Sequence, residues 1–147
     1  MRQRAAIVPT FAAIVFILAV PVFAQDAPRP SRPVHTFSIV AFDPATGQMG
    51  VAVQSHWFAV GSSVPFAEAG VGAVATQSFV DPNYGPLGLA MMRAGKTAPD
   101  SLRGLLEADS ACNVRQVAMV DAQGRVATFT GAKDIQPARI IARPSGP

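Results

Sequence analysis

The stretch His35-Thr-Phe-Ser-Ile-Val-Ala-Phe-Asp43, with its continuation to Ser55, decides the fold. Its first half favours a strand because β-branched and aromatic side chains pack well on a pleated surface. Asp-Pro followed by Gly47 predicts a turn, since proline presets its own φ and glycine accepts a positive φ. A second apolar run, Met49 to Val53, then leads back. We therefore predict a β-hairpin that begins with Thr36.

Thr36 carries the first functional hypothesis. A threonine at a chain terminus can be a nucleophile whose base is its own α-amine. Catalysis by Thr36 also requires N–H donors that stabilise an oxyanion. The alternative is an ordinary strand threonine that is present for its β propensity.

Residues 1–24 have the pattern of a secretory signal peptide. A short basic region, Met1 to Arg4, precedes an apolar run from Ala5 to Val20, and Val22-Phe-Ala24 places small residues at the −3 and −1 positions. We expect cleavage after Ala24 and export of the chain, to the periplasm or the exterior, with no membrane attachment afterwards. An uncleaved anchor is the alternative. It is disfavoured because the unbroken apolar core, Phe11 to Val20, is about half the roughly 20 residues of a spanning helix.

Charge and cysteine content exclude several classes of protein. Residues 25–147 carry ten basic and nine acidic side chains, and residues 34–132 carry five basic and seven acidic ones. A nucleic-acid-binding domain needs a basic face, so no nucleic-acid partner is predicted. Cys112 is the single cysteine and cannot form an internal disulfide. His35 and His56 lack the neighbouring ligands of a metal site, so we predict neither a metal nor another cofactor.

Composition also divides the chain that follows the predicted signal peptide, or leader, of residues 1–24. Residues 25–34 hold three prolines and three charges, which is typical of an extended linker. Residues 35–132 form the predicted domain. Residues 133–147 have no strand or helix period, and we expect a disordered or frameshifted tail. If strands are missing from the fold, we expect Val71–Ala75 and Val117–Val120 to expose apolar faces.

Inside the domain, runs of strands flank two helices, which indicates an α+β fold. We expect the loop His56 to Val64 to be tied down by its aromatic residues. The first helix carries Leu87 and Met91 on one face, and the second begins at Thr97. The remaining predicted strands are a short edge strand at Val64–Ala67, a buried strand at Val71–Gln77, and a hairpin made of Arg115–Val120 and Arg125–Thr130.

Several segments, in order and spacing, resemble the bacterial and archaeal family called domain of unknown function 1028, which is assigned to the Ntn-hydrolase-like superfamily. They are His35-Thr-Phe-Ser-Ile-Val-Ala, Gly50-Val-Ala-Val-Gln-Ser55, Ala59-Val-Gly61, Ala69-Gly-Val-Gly-Ala-Val-Ala-Thr-Gln77, Tyr84-Gly-Pro-Leu-Gly-Leu89, Arg115-Gln116, Asp121-Ala-Gln-Gly-Arg125 and Phe129-Thr-Gly131. The resemblance implies an αββα sandwich of two antiparallel sheets. Family members usually continue past Phe129-Thr-Gly131 with further strands, so we expect this sandwich to be incomplete. The opening also looks like the nucleophile strand of γ-glutamyltransferases, which implies Thr36 as nucleophile.

The other candidate site residues lie at strand ends and in one loop. Ser38 shares the face of Thr36, and Ser55 and His56 end the second strand near it. Thr76 and Gln77 end a third strand and could line the same pocket. Asn83 is the candidate oxyanion donor, with an ordinary turn asparagine as the alternative. We regard Ser38, Ser55, His56, Thr76 and Gln77 as candidate substrate-binding residues.

Two functions follow from these residues. The first is an exported amide-bond hydrolase acting on a small-molecule or peptide amide, inactive here if the domain is incomplete or Thr36 stays blocked. The second is a non-catalytic binding or structural protein of the cell envelope. Only the first needs a free amine on Thr36. The sequence names neither the substrate nor the oligomeric state.

Overall fold

A computed structural model describes residues 35–136 and 138–143, so the predicted leader, the linker and residues 144–147 lie outside the described part. In that part, six strands flank two α-helices in the order β-β-β-β-α-α-β-β. Their bounds are β1 Phe37–Phe42, β2 Met49–Gln54, β3 Pro65–Glu68, β4 Gly72–Ser78, α1 Tyr84–Arg93, α2 Ala98–Ala108, β5 Arg115–Asp121 and β6 Val126–Thr130.

The opening stretch forms the predicted hairpin. β1 and β2 pair antiparallel from Phe37 opposite Gln54 at the open end to Phe42 opposite Met49 at the turn. The side chain of Asp43 accepts a hydrogen bond from the backbone of Ala45 at 2.9 Å. Gly47 has a φ of 72°. That backbone conformation is one that glycine adopts without steric cost, so the turn forms where the sequence predicted it.

The other four strands form an antiparallel sheet in the order β3-β4-β5-β6. β3 is an edge strand, as the proline at its start predicted, because proline cannot donate a hydrogen bond to the ladder. β4 lies between β3 and β5, and its residues from Gly72 to Thr76 are buried. The expected exposure of Val71–Ala75 and Val117–Val120 is therefore wrong for most of these residues, since Ala73, Val74 and Met119 are fully buried.

Both helices pack on one face of this sheet. The core between them consists of Val74, Tyr84, Leu89, Met92, Ala98, Leu102, Val117 and Met119. The prediction that Leu87 lies on the buried face of α1 is wrong, because Leu87 is 51% exposed. The helix instead turns Gly85 and Gly88 toward the sheet, where a β-carbon would collide with Phe66 and Met119 respectively. Glycines on α1 thus permit close packing that hydrophobic spacing alone does not reveal.

α2 begins at the predicted cap. The Thr97 hydroxyl accepts a hydrogen bond from the Asp100 backbone at 3.0 Å. The first helical N–H, that of Ala98, donates to the buried carboxylate of Asp121 at 3.0 Å. Burial alone raises the pKa of Asp121, but hydrogen bonds from Ala98 and from Arg125 outweigh burial and hold the pKa below its ordinary value. Asp121 therefore joins the start of α2 to the β5–β6 turn.

The β1–β2 hairpin packs on the opposite face of the four-stranded sheet. Its outward side chains include Phe37 and Ile39, which are 64% and 61% exposed. The loop after β2 also exposes its aromatic residues, and Phe58 is 98% exposed. The expectation that aromatic residues tie this loop down is therefore wrong. The result is an α+β sandwich of two antiparallel sheets in which helices cover one outer face, as far as the described residues extend.

None of the helices in the described residues is long and apolar enough to cross a membrane.

Candidate active site

Thr36 and Ser55 face each other at the open end of the hairpin. Their hydroxyl oxygens lie 2.9 Å apart and share a hydrogen bond. The contact follows from the register, because Phe37 pairs with Gln54 and the next residue outward on each strand is Thr36 and Ser55. The backbone N–H of Trp57 also donates to the Ser55 hydroxyl, at 3.0 Å. Ser55 is thus held on two sides and fixes the position of the Thr36 side chain.

Ser38 and Gln77 connect the two sheets below this pair. The Gln77 side-chain amide donates a hydrogen bond to the Ser38 hydroxyl. Ser38 lies two residues after Thr36, so both side chains leave β1 on the side that faces the four-stranded sheet. Thr36, Ser38 and Gln77 therefore lie close together, because β1 and the end of β4 face each other.

The end of β4 carries a feature that the sequence did not suggest. Ser78 has a φ of 70°, a left-handed conformation that is uncommon outside glycine. Its hydroxyl donates a hydrogen bond to Asp134, which is only 6% exposed. The Asp134 carboxylate also accepts from the backbone N–H of Ile135, at 2.6 Å. Asp134 lies in the segment for which the sequence predicted a disordered tail, which explains why it was not a candidate.

These residues line one cavity of about 1350 Å³ between the hairpin, the β5–β6 strands and the segment after β6. Of the predicted site residues, the cavity is lined by Thr36, Ser38, Ser55, His56 and Gln77. Ser78 and Asp134 line it as well. The His56 ring is exposed and packs against Trp57, with ring centroids 5.3 Å apart.

Two predicted site residues are placed elsewhere. Thr76 is fully buried and alternates with Gln77 along β4, so the two side chains point to opposite faces of the sheet. Thr76 shares the helix-facing side with Val74. Asn83 precedes α1, where its backbone N–H donates to Asp81 at 3.0 Å, and it does not line the cavity. The structure therefore separates Asn83 from Thr36.

A polar network holds the chain that follows Ser78. Arg115 donates to the carbonyl of Phe79 at 2.5 Å and to the carboxylate of Asp109 at 2.8 Å. The Tyr84 hydroxyl donates to the same carboxylate at 3.1 Å. The Arg115 guanidinium holds the pKa of Asp109 below its usual range, whereas burial raises the pKa of Tyr84. At neutral pH the network is thus an ion pair with a neutral tyrosine, and it fixes the backbone beside the cavity.

Comparisons with known proteins agree with this architecture. Residues 36–145 match the model of a family of unknown function, DUF1028. The fold is similar to the crystal structure of a DUF1028 protein from Silicibacter pomeroyi, with a TM-score of 0.66 and 32% sequence identity. The match covers 69% of this chain and 48% of the other, so this chain spans about half the length of that protein. No curated protein matches the chain.

Proposed function

This chain belongs to the DUF1028 family, and we propose that it is an exported amide-bond hydrolase of the N-terminal-nucleophile type with Thr36 as nucleophile. The observation that carries the proposal is the 2.9 Å hydrogen bond between the hydroxyls of Thr36 and Ser55 at the wall of a large cavity. It orients a threonine hydroxyl at the start of the first strand, where chain cleavage could free the matching amine.

The reaction would proceed in two acyl transfers. The α-amine of a terminal Thr36 takes the hydroxyl proton while Oγ1 forms a bond to the carbonyl carbon of the amide. The C–N bond then breaks, and the proton passes to the departing nitrogen, which leaves an ester on Thr36. Water, deprotonated by the same amine, attacks this ester and restores the hydroxyl. The atoms balance as hydrolysis of one amide by one water.

Three other polar residues of the cavity, Ser55, Gln77 and Ser38, have supporting roles in this proposal. Ser55 accepts from the Trp57 N–H and contacts Thr36, so it is a positioning residue. The side-chain amide of Gln77 is a donor that lines the cavity at the end of β4, and it replaces Asn83 as the candidate that stabilises the oxyanion. Ser38 holds this amide in place.

A second candidate function rests on a different observation. Phe37, Ile39, Trp57 and Phe58 expose large apolar side chains on the hairpin and the adjoining loop, and they also line the cavity. Exposed apolar patches mark interaction surfaces in many proteins. A non-catalytic envelope protein would use this surface and would not need a free Thr36.

The export step has its own expected result. We expect the mature chain to begin at Gln25, because Val22-Phe-Ala24 fits the small-residue pattern of signal-peptide cleavage. The intact mass of protein recovered from the periplasm or the medium measures this. A mass that still includes residues 1–24 would favour an anchored protein instead.

The hydrolase proposal is tested by the state of the Thr36 amine. Two versions of the protein are compared, one that begins at Thr36 and one that begins at Gln25 and keeps residues 25–35. We expect the first to hydrolyse amides from a library of aminoacyl and acyl p-nitroanilides and the second to be at background, because the base is the free amine. Equal activity of the two forms would contradict the assignment, and absence of activity in both would favour the binding function.

A further inference from the structure

Asp134 is a buried acid whose hydrogen bonding is incomplete. One carboxylate oxygen accepts from the Ser78 hydroxyl and from the Ile135 backbone. The other oxygen, Oδ2, is buried and has no hydrogen-bond partner among residues 35–136 and 138–143. A buried carboxylate with an unpaired oxygen is costly, because it has lost hydration without full replacement.

Two other acids with little side-chain exposure, Asp121 at 2% and Asp109 at 14%, show the contrast. Asp121 is paired with Arg125 at 2.8 Å, and Asp109 is paired with Arg115 at the same distance. Within the described residues, Asp134 forms no ion pair. Buried charges in proteins are normally paired, so the chemistry of Asp134 calls for a cation from outside these residues.

The position of Asp134 is set by the backbone. The N–H of Gly131 donates to the carbonyl of Arg115 at 2.9 Å, and the N–H of Lys133 donates to the carbonyl of Asn113 at 2.8 Å. The N–H of Asp134 donates to the carbonyl of Gly131 at 3.1 Å. These bonds bring the segment after β6 against the start of β5 and place Asp134 beside Ser78. The strained backbone of Ser78 is the kind of feature that clusters at ligand sites.

Asp134 is also the only acidic residue among the described residues that line the cavity of Thr36. Arg139 and Arg143 line the same cavity, but both are exposed to solvent, whereas Asp134 is buried. Charge interactions are screened at exposed positions and stronger at buried ones. Asp134 is therefore the described residue of the cavity that can pair with a cationic group, and repulsion from the two exposed arginines is screened by solvent.

We propose that Asp134 is a substrate-recognition residue and that the cavity takes amides whose acyl part carries an ammonium or guanidinium group at the end of its side chain. The inference rests on the proposed hydrolase function and adds the substrate class to it. The cation pairs with the Asp134 carboxylate, while the amide carbonyl lies at Thr36. Ser78 orients the carboxylate from its other side.

The test uses paired probes that differ in one charge. Lysinamide and norleucinamide have similar length and shape, but only lysinamide has a side-chain ammonium. Their binding to the Thr36→Ala form is measured by calorimetry, which removes turnover from the comparison. Lysyl and norleucyl p-nitroanilides are then compared by kcat/KM on the form that begins at Thr36.

We expect lysinamide to bind at least about tenfold more tightly than norleucinamide, the effect of one hydrogen bond to a charged group. Asp134→Asn keeps the shape, and we expect it to remove the preference. Asp43→Asn changes an exposed acid outside the cavity and should leave the preference intact. The wild-type comparison of the two probes needs no variant, so the inference stays testable if Asp134→Asn fails to fold.

The two proposals fail in different ways. Hydrolysis without preference for the cationic probe would overturn the assignment of Asp134 and leave the hydrolase function standing. Tight, Asp134-dependent binding of lysinamide without hydrolysis would overturn the hydrolase function and support the cation site. If Asp134→Asn kept the preference for lysinamide, the recognition of the side-chain cation would belong to another residue, and the assignment of Asp134 would be wrong.

Discussion

Thr36→Ala is expected to reduce amide hydrolysis by about 10³-fold or more in the form that begins at Thr36, as loss of a covalent nucleophile does in hydrolases. Thr36→Ser keeps the hydroxyl and the amine, so we expect its kcat to stay within about a hundredfold of the wild-type value. The measurement is single-turnover hydrolysis together with mass spectrometry of the acylated enzyme.

Controls separate chemistry from folding in this experiment. Thr128→Ala removes an exposed threonine of β6 and should leave both the rate and the thermal unfolding unchanged. Ser55→Ala removes the hydroxyl that contacts Thr36 at 2.9 Å. We expect it to lower kcat by about tenfold without preventing acylation, since positioning contributes less than the nucleophile itself. Undiminished turnover by Thr36→Ala would show that another group attacks the amide.

Local sequence signals predicted the part of the site that the β1–β2 hairpin contributes. The Asp-Pro turn with Gly47 sets the register of β1 and β2, and the register alone brings Thr36 opposite Ser55. The strand pairing and the contact between Thr36 and Ser55 both arise within about 20 residues of chain. Short-range features of this kind can be predicted from the sequence because turn residues and strand alternation act independently of the rest of the fold.

Long-range features could not be predicted in the same way. Asp134 meets Ser78 across 56 residues, and the residues after β6 do not by themselves indicate which part of the chain they pack against. Alternation along β4 would have shown that Thr76 and Gln77 point to opposite faces, yet the choice of face depends on which layer packs where. The buried face of α1 depends on Gly85 and Gly88, which carry no hydrophobic signal.

A substitution at Gly131 is expected to lower the stability of the fold strongly. Gly131 joins β6 to the segment that carries Asp134. A β-carbon there would lie 2.1 Å from the carbonyl oxygen of Asn113 and 2.3 Å from its carbonyl carbon. These are backbone atoms, and the same carbonyl accepts the N–H of Lys133 at 2.8 Å. Relief of the clash therefore requires the segment after β6 to separate from the start of β5.

We expect Gly131→Ala to lower the free energy of unfolding by about 3 kcal/mol, the upper part of the usual cost of overpacking. For a domain of this size that loss corresponds to a fall in Tm of roughly 10–20 °C. The measurement is thermal unfolding followed by circular dichroism. Because the same segment holds Asp134 beside Ser78, the variant should also lose the preference for lysinamide over norleucinamide at temperatures where it is still folded.

Gly104→Ala is the matched control, since it makes the same chemical change inside α2. A β-carbon at Gly104 would meet only the terminal methyl of Met91, at 3.2 Å, and that flexible side chain can move aside. Alanine is favoured over glycine in a helix interior by up to about 1 kcal/mol, so this variant should be as stable as the wild type or more so. If Gly131→Ala unfolded at the temperature of Gly104→Ala and kept the lysinamide preference, the close approach of Gly131 to Asn113 would not be what places Asp134 in the cavity.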